Sequence, residues 1–217
     1  MPYFHKPTIN LNLLFIHIPK TGGNSLEKYF SQKYDIPLCL NTLCSPLRNG
    51  FTKNDISLQH QTLIDIYKEK NFFKINFTPD IKIIAVVRNP YERIISDLFF
   101  FQYINKNSSQ EEVFTVINNY LLTDVKILDN HSIPQYKFVT DENGLLIDNI
   151  HILKLEQLNS DMYDLGYHDF NFHENKNQEN INCFSYLNMN SIYLINKIYE
   201  KDFLLFNYKM KFLKNII

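Results

Sequence analysis

The chain has 217 residues, 45% of them hydrophobic and 15% aromatic, which is enough to enclose one sizeable core and excludes a disordered protein. Its formal net charge of −1 excludes a general field that would draw it to nucleic acid or to an anionic membrane. With 5 glycines and no linker-like stretch, residues 1–217 read as a single domain. Cys39, Cys44 and Cys183 form no metal-ligand spacing, and an odd count argues against a disulfide framework, so they are expected to be reduced and mostly buried. The apolar run over 11–18 is too short to span a membrane and no signal-peptide layout precedes it, so a cytoplasmic location is expected.

Leu11 to His17 reads as a buried strand running into Ile18-Pro19-Lys20-Thr21-Gly22-Gly23, a tight glycine turn that holds a lysine. Asn24-Ser25-Leu26-Glu27 has the spacing of a capping box, and Leu26, Tyr29 and Phe30 continue as a helical stripe. Ile36 to Leu40 reads as a short strand and 41–57 as irregular. Leu58 to Lys70 reads as a helix with Leu63, Ile64 and Tyr67 on one face. Lys82 to Val87 is the clearest strand, apolar on both faces as in the middle of a parallel sheet. Beyond it, Asn89 suits an N-cap, Pro90 the first helical position and Glu92 the far end of a capping box. That helix is expected to reach about Tyr103, with Ile94, Ile95, Leu98 and Gln102 at helical spacing. Glu111 to Leu122 is a further helix, and His151 to Leu155 a further strand followed by a short helix to about Asp164. Residues 168–188 are polar and Asn-rich, expected as a surface excursion, and Ser191 to Asn207 closes the chain with helices. Strands alternating with helices predict an α/β fold, three layers around a mainly parallel sheet.

The turn after the first strand suits an anion, because backbone N–H groups and the positive end of a helix point at it with Lys20 alongside. In the nucleoside-triphosphatase loop the lysine follows the glycines. Here Lys20 precedes Gly22 and Gly23. The strand Lys82 to Val87 then ends in Arg88, where an aspartate that holds magnesium would be expected. The expected ligand is therefore an anionic nucleotide held without metal. Arg88 and Ser96 can converge on one phosphate across a strand-to-helix turn, the arginine with a forked donor and the serine with a hydroxyl. Two separate clamps imply two separated anionic groups on one ligand.

Pro19-Lys20-Thr21-Gly22-Gly23-Asn24-Ser25 resembles the 5′-phosphosulfate loop of the sulfotransferases that use 3′-phosphoadenylyl sulfate (PAPS), and Val87-Arg88-Asn89-Pro90-Tyr91-Glu92-Arg93-Ile94-Ile95-Ser96 resembles their 3′-phosphate motif. The form of both motifs resembles the carbohydrate-type, Golgi-type branch and its soluble bacterial or viral relatives. Weaker echoes are His60-Gln61-Thr62, His131-Ser132-Ile133-Pro134-Gln135, Leu153-Lys154-Leu155-Glu156 and the closing helix from Tyr199. The resemblance implies a P-loop-like sulfotransferase fold and a metal-independent, in-line transfer of a sulfuryl group from PAPS to a carbohydrate hydroxyl, leaving adenosine 3′,5′-bisphosphate. It gives Lys20 the bridging oxygen. It gives Thr21, Gly22, Gly23, Asn24 and Ser25 the 5′ phosphate, and Arg88 and Ser96 the 3′ phosphate.

His60 is expected as the general base, with His131 and Gln135 shaping the acceptor pocket and with His131 and Glu156 as rival bases. His17 is expected to pack at the strand end, Arg93 and Asp97 to form a helix ion pair, and Phe99-Phe100-Phe101 to lie in the core. Two other readings stay open: a P-loop small-molecule kinase using ATP and magnesium, and a non-catalytic nucleotide- or glycan-binding relative.

Overall fold

The computed structural model describes residues 3–38, 56–123, 128–171 and 182–212. Its centre is a four-stranded sheet in the order β1 (Tyr3–Lys6), β2 (Leu11–Ile16), β3 (Lys82–Val87) and β4 (Ile150–Lys154). β1 runs antiparallel to β2, whereas β2, β3 and β4 are mutually parallel. The register pairs Ile16 with Ala85 and Val87 with Lys154, so these strands end near one edge of the sheet. In open α/β sheets, ligands gather at that carboxyl edge. β1 is an element the sequence reading lacks. It folds back through a short 3-10 turn, Pro7–Ile9, closed by Asn10, whose left-handed backbone lets its N–H reach the Pro7 carbonyl at 3.1 Å.

Alternation along the strands feeds two cores. Leu14, Ile16, Ile83, Ala85 and Val87 join one cluster with Leu63, Ile66 and Phe138. Leu13, Phe15, Ile84 and Val86 join another with Leu26, Phe30, Leu158 and Met162. Eight α-helices lie among the described residues. α1 (Gly23–Tyr34) and α6 (Leu158–Asp164) supply the second cluster, and α2 (Leu63–Lys68) the first; α3 (Lys70–Phe73) follows it directly. α4 (Pro90–Phe100), α5 (Gln110–Leu122), α7 (Met189–Ile198) and α8 (Glu200–Leu205) close a third cluster around Tyr91, Leu98, Ile117 and Phe203. No helix among the described residues is long and apolar enough to cross a membrane.

Several local expectations need correction. α1 has no capping box: Gly22 is its N-cap in the left-handed region, φ 82°, and Glu27 turns to His17 instead. Ile36 to Leu38 is not a strand, because the Ile36 N–H closes the end of α1 on the Ser31 carbonyl, while residues 39–55, with Cys39 and Cys44, lie outside the described residues. The helix expected from Leu58 to Lys70 is divided. Leu58–His60 is a 3-10 turn, Thr62 caps α2 by accepting the Asp65 N–H at 3.2 Å, and Ile66 rather than Tyr67 joins Leu63 inside. α4 stops at Phe100, so Gln102 falls beyond it. Glu92 does not close a box on Asn89, whose N–H goes to Glu156 at 2.6 Å. At the end of the expected surface excursion, Cys183 and Leu187 are buried in the third cluster.

Candidate active site

β2 delivers its chain into the glycine turn. His17 and Ile18 stay buried, then Lys20 takes a left-handed backbone, φ 66°. A residue with a Cβ holds that conformation at a cost of about 1–2 kcal/mol. The Thr21 side chain is fully buried, and its hydroxyl donates to the Ile18 carbonyl at 2.8 Å. A Cβ on Gly23 would stand 2.4 Å from Nε2 of His17, so the turn closes against that imidazole only because residue 23 has no side chain. At the start of α1 the Ser25 N–H donates to the Gly22 carbonyl at 3.1 Å, and the N–H groups ahead of it are of the kind that, at a helix N-terminus, suit an anion. The half-buried Lys20 ammonium lies 4.2 Å from the centre of the Phe100 ring. Burial lowers its pKa, Asp97 opposes this, and Arg88 adds to the fall.

Arg88 leaves β3 beside this turn. The Gln135 amide grips its backbone on both sides, accepting its N–H at 2.9 Å and donating to its carbonyl at 2.8 Å. Nη1 of Arg88 donates to the Lys20 carbonyl at 3.4 Å, which links the two turns. Nε of Arg88 is buried without a hydrogen bond; the Glu92 carboxylate lies 3.5 Å away. An unsatisfied cationic donor at the mouth of a helix N-terminus is what an incoming phosphate oxygen can satisfy. Ser96 is half-buried on α4.

Three histidines stand in an edge-to-face row beside the turn. Ring centres of His17 and His60 are 5.2 Å apart, and those of His60 and His131 4.9 Å. Each points Nδ1 at its own carboxylate: His17 at Glu27 (2.5 Å), His60 at Asp129 (2.8 Å) and His131 at Asp97 (2.6 Å). Burial pushes His60 down to about 4; Asp129 opposes this, and His17 and His131 reinforce it. Burial alone would raise Glu27 and Asp129, but their histidine partners hold both below the usual carboxylate range. Asp97 also accepts the Tyr120 hydroxyl. The Phe100 ring lies nearly parallel to His131, 11° and 5.6 Å between centres, so one exposed aromatic touches both Lys20 and a histidine.

The model of one known family, described as the sulfotransferase family, matches residues 4–209. The chain belongs to the sulfotransferase family. No curated protein and no solved structure matches it.

Within this sulfotransferase chain, the structure gathers Lys20, Gly22, Gly23, Asn24, Ser25, Arg88, His60 and His131 at one edge of the sheet, and four expected roles change. Thr21 cannot offer its hydroxyl proton to a phosphate, because that proton braces the turn on Ile18. Gln135 does not face an acceptor: it is fully buried between the Arg88 backbone and Asp202. Glu156 is not placed as a base, since its oxygens accept the Asn89 N–H and the Tyr208 hydroxyl at 2.9 Å. Arg93 and Asp97 are not a helix ion pair. Arg93, 3% exposed, donates to the carbonyls of Pro19, Ile133 and His131 at 3.1, 3.0 and 2.6 Å, and Asp97 holds His131.

Phe100 is 58% exposed rather than core, for α4 ends there. Asp129 and Gln59 were not singled out from the sequence. Gln59 Nε2 lies beside Nδ1 of His17 and donates to the Asn24 side-chain oxygen at 3.2 Å and to the Glu27 carboxylate at 3.2 and 3.3 Å, and nothing local marks a glutamine for that.

Proposed function

We propose that this protein transfers a sulfuryl group from 3′-phosphoadenylyl sulfate to a hydroxyl of a carbohydrate acceptor, without a metal ion. The observation that carries the reading is the junction of the two turns: the lysine-bearing glycine loop and the Arg88 turn follow adjacent parallel strands, bonded to each other through the Lys20 carbonyl. The burial of both faces of the sheet supports the three-layer, P-loop-like arrangement that such a donor site needs.

In this reading the free N–H groups at Gly22, Gly23 and Asn24 hold the 5′ phosphate at the start of α1, with Ser25 presenting its hydroxyl. Arg88 and Ser96 hold the 3′ phosphate, and Nε of Arg88, which has no hydrogen bond of its own and only the Glu92 carboxylate 3.5 Å away, is the donor the phosphate engages. Lys20 leaves Phe100 and neutralises charge on the bridging oxygen as the bond to sulfur breaks. The chain's work is positioning and charge stabilisation, as in other transfers of this kind.

His60, its Nδ1 fixed by Asp129, keeps Nε2 free to take the acceptor proton. A second assignment draws on a specific observation. His131 shares Phe100 with Lys20 and is oriented by Asp97 as His60 is by Asp129.

Calorimetry tests the donor. Adenosine 3′,5′-bisphosphate should bind tightly with or without magnesium and ATP weakly; magnesium-dependent preference for ATP would point to a kinase instead. Transfer of labelled sulfate from PAPS to a glycan panel tests the reaction, and its absence with an intact bisphosphate site would point to a binding protein. Asparagine at His60 and at His131 in turn separates the two bases by which change collapses kcat at saturating donor.

A further inference from the structure

His60, Asp129 and His131 can each contribute one ligand atom such that the three atoms lie within 4.8 Å of one another. We propose that this cluster binds a divalent transition ion of the Zn²⁺ type, and that the bound ion closes the acceptor side of the active site. Two imidazoles and a carboxylate form a donor set that suits zinc, cobalt, nickel or copper far better than magnesium or calcium. The two histidines are 9% and 6% exposed, while the Asp129 side chain is 33% exposed, so the cluster is walled on the imidazole side and open on the carboxylate side. That opening is where an ion enters and where a water completes its coordination.

The outer contacts are already those of a metal site. His131 gives Nδ1 to Asp97, which fixes its tautomer and leaves Nε2 as the ligand atom, and Asp97 is itself held by the Tyr120 hydroxyl. One oxygen of Asp129 accepts the Ser57 N–H, which aims the other at His60. For Asp129 and His60 to share an ion, the ligand atom of His60 is Nδ1. The ion then takes the place of the Nδ1 proton that those two groups share, and that proton moves to Nε2 as the neutral ring changes tautomer. His60 and His131 are held by the ion and neither can accept a proton from an acceptor hydroxyl. This consequence rests on the sulfotransfer reading; binding of the ion does not.

The test is a Co²⁺ titration of the full chain, read from its visible d–d bands, with Zn²⁺ added to displace the cobalt. The expected result is one ion per chain. His60→Ala and Asp129→Asn should each weaken it at least about tenfold, and Asp97→Asn, acting through His131, about ten- to hundredfold. His168→Ala, on the exposed surface, should leave it unchanged. Asp129→Asn removes a partly exposed charge and serves where a buried histidine variant fails to fold. The proposal fails if no bands develop, if thiolate charge-transfer bands show cysteine ligation, or if the His60 and Asp129 variants bind like wild type. In a turnover assay, Zn²⁺ should compete with acceptor and not with nucleotide. A normal cobalt spectrum in a chain that transfers no sulfate upholds the ion site and overturns the reaction alone.

Discussion

His60 and Asp202 titrate in opposite directions on folding, and their sum makes a sharp prediction. Burial moves His60 from 6.5 down to about 4. Burial moves Asp202 from 3.8 up to about 6, against the pull of the Gln135 and Tyr136 N–H groups, each bonded to it at 2.8 Å. As pH falls below 6.5, the unfolded chain protonates His60 while the folded chain does not, so stability is lost down to the folded value. Asp202 does the reverse: the folded chain takes its proton first, so stability is gained as pH falls through about 6 and is lost again on returning to neutrality.

Between about pH 7 and about pH 4.5 linkage gives a loss of about 2.5 kcal/mol from His60 and a gain of about 2 kcal/mol from Asp202. The two nearly cancel in the wild type. His60→Asn keeps a donor for Asp129 and removes the titration, so that variant should gain about 2 kcal/mol over the window relative to its own value at neutral pH. Asp202→Asn should lose about 2.5 kcal/mol over the same window. His151, which burial also lowers, contributes equally to all three chains, and the depressed Glu27 and Asp129 begin to act only towards the acid end. Urea unfolding at fixed ionic strength, with m held constant across pH, reads the three slopes. Parallel curves for His60→Asn and wild type would show that His60 is not held neutral by its surroundings.

The remaining predictions concern the turns. Gly23→Ala drives a methyl into the His17 ring and should lower stability by about 1–3 kcal/mol with weaker bisphosphate binding; an unchanged melting temperature would contradict the close approach. Lys20→Ala should reduce kcat about 10²–10³-fold with a smaller change in bisphosphate affinity, because the charge it answers is largest in the transition state; equal losses in both would make Lys20 a binding residue only. Arg93→Lys keeps the charge and loses the fork across three carbonyls, and should lower unfolding free energy by about 3 kcal/mol; a loss near zero would leave the strut without weight.

Features carried by short-range pattern were legible. Lys82–Val87, Pro90–Phe100 and the glycine turn all declare themselves within a dozen residues, through apolar continuity, a proline at the first helical position, or paired glycines. Where two local patterns competed, the reading went wrong. Asn24 and Glu27 have the spacing of a capping box, yet a left-handed Gly22 starts the helix without a side-chain cap and leaves Glu27 for His17. Long-range polar pairing left no trace in the sequence. Asp97 meets His131 34 positions away, His60 meets Asp129 69 away, and Arg88 meets Gln135 47 away. No periodicity encodes such distances, so the carboxylate behind each imidazole was invisible while the imidazoles themselves could be named.

Those hidden pairings explain why the two halves of the site stand in a fixed relation. Arg93 holds the carbonyl of Pro19, at the entrance of the lysine loop, and the carbonyls of His131 and Ile133 on the acceptor side. Gln135, two residues further on, holds both sides of the Arg88 peptide and is held in turn by Asp202 from α8. A displacement of residues 131–135 therefore moves the Arg88 turn and a candidate base together. In-line transfer needs nucleophile, sulfur and leaving oxygen within a narrow range of angle and distance. A buried guanidinium bonded to three carbonyls is a stiff way to maintain it, because removing any one partner leaves a buried donor unpaired. In the proposed reaction Arg93 acts through the loops it holds, so its conservative replacement should disturb donor and acceptor binding in the same variant.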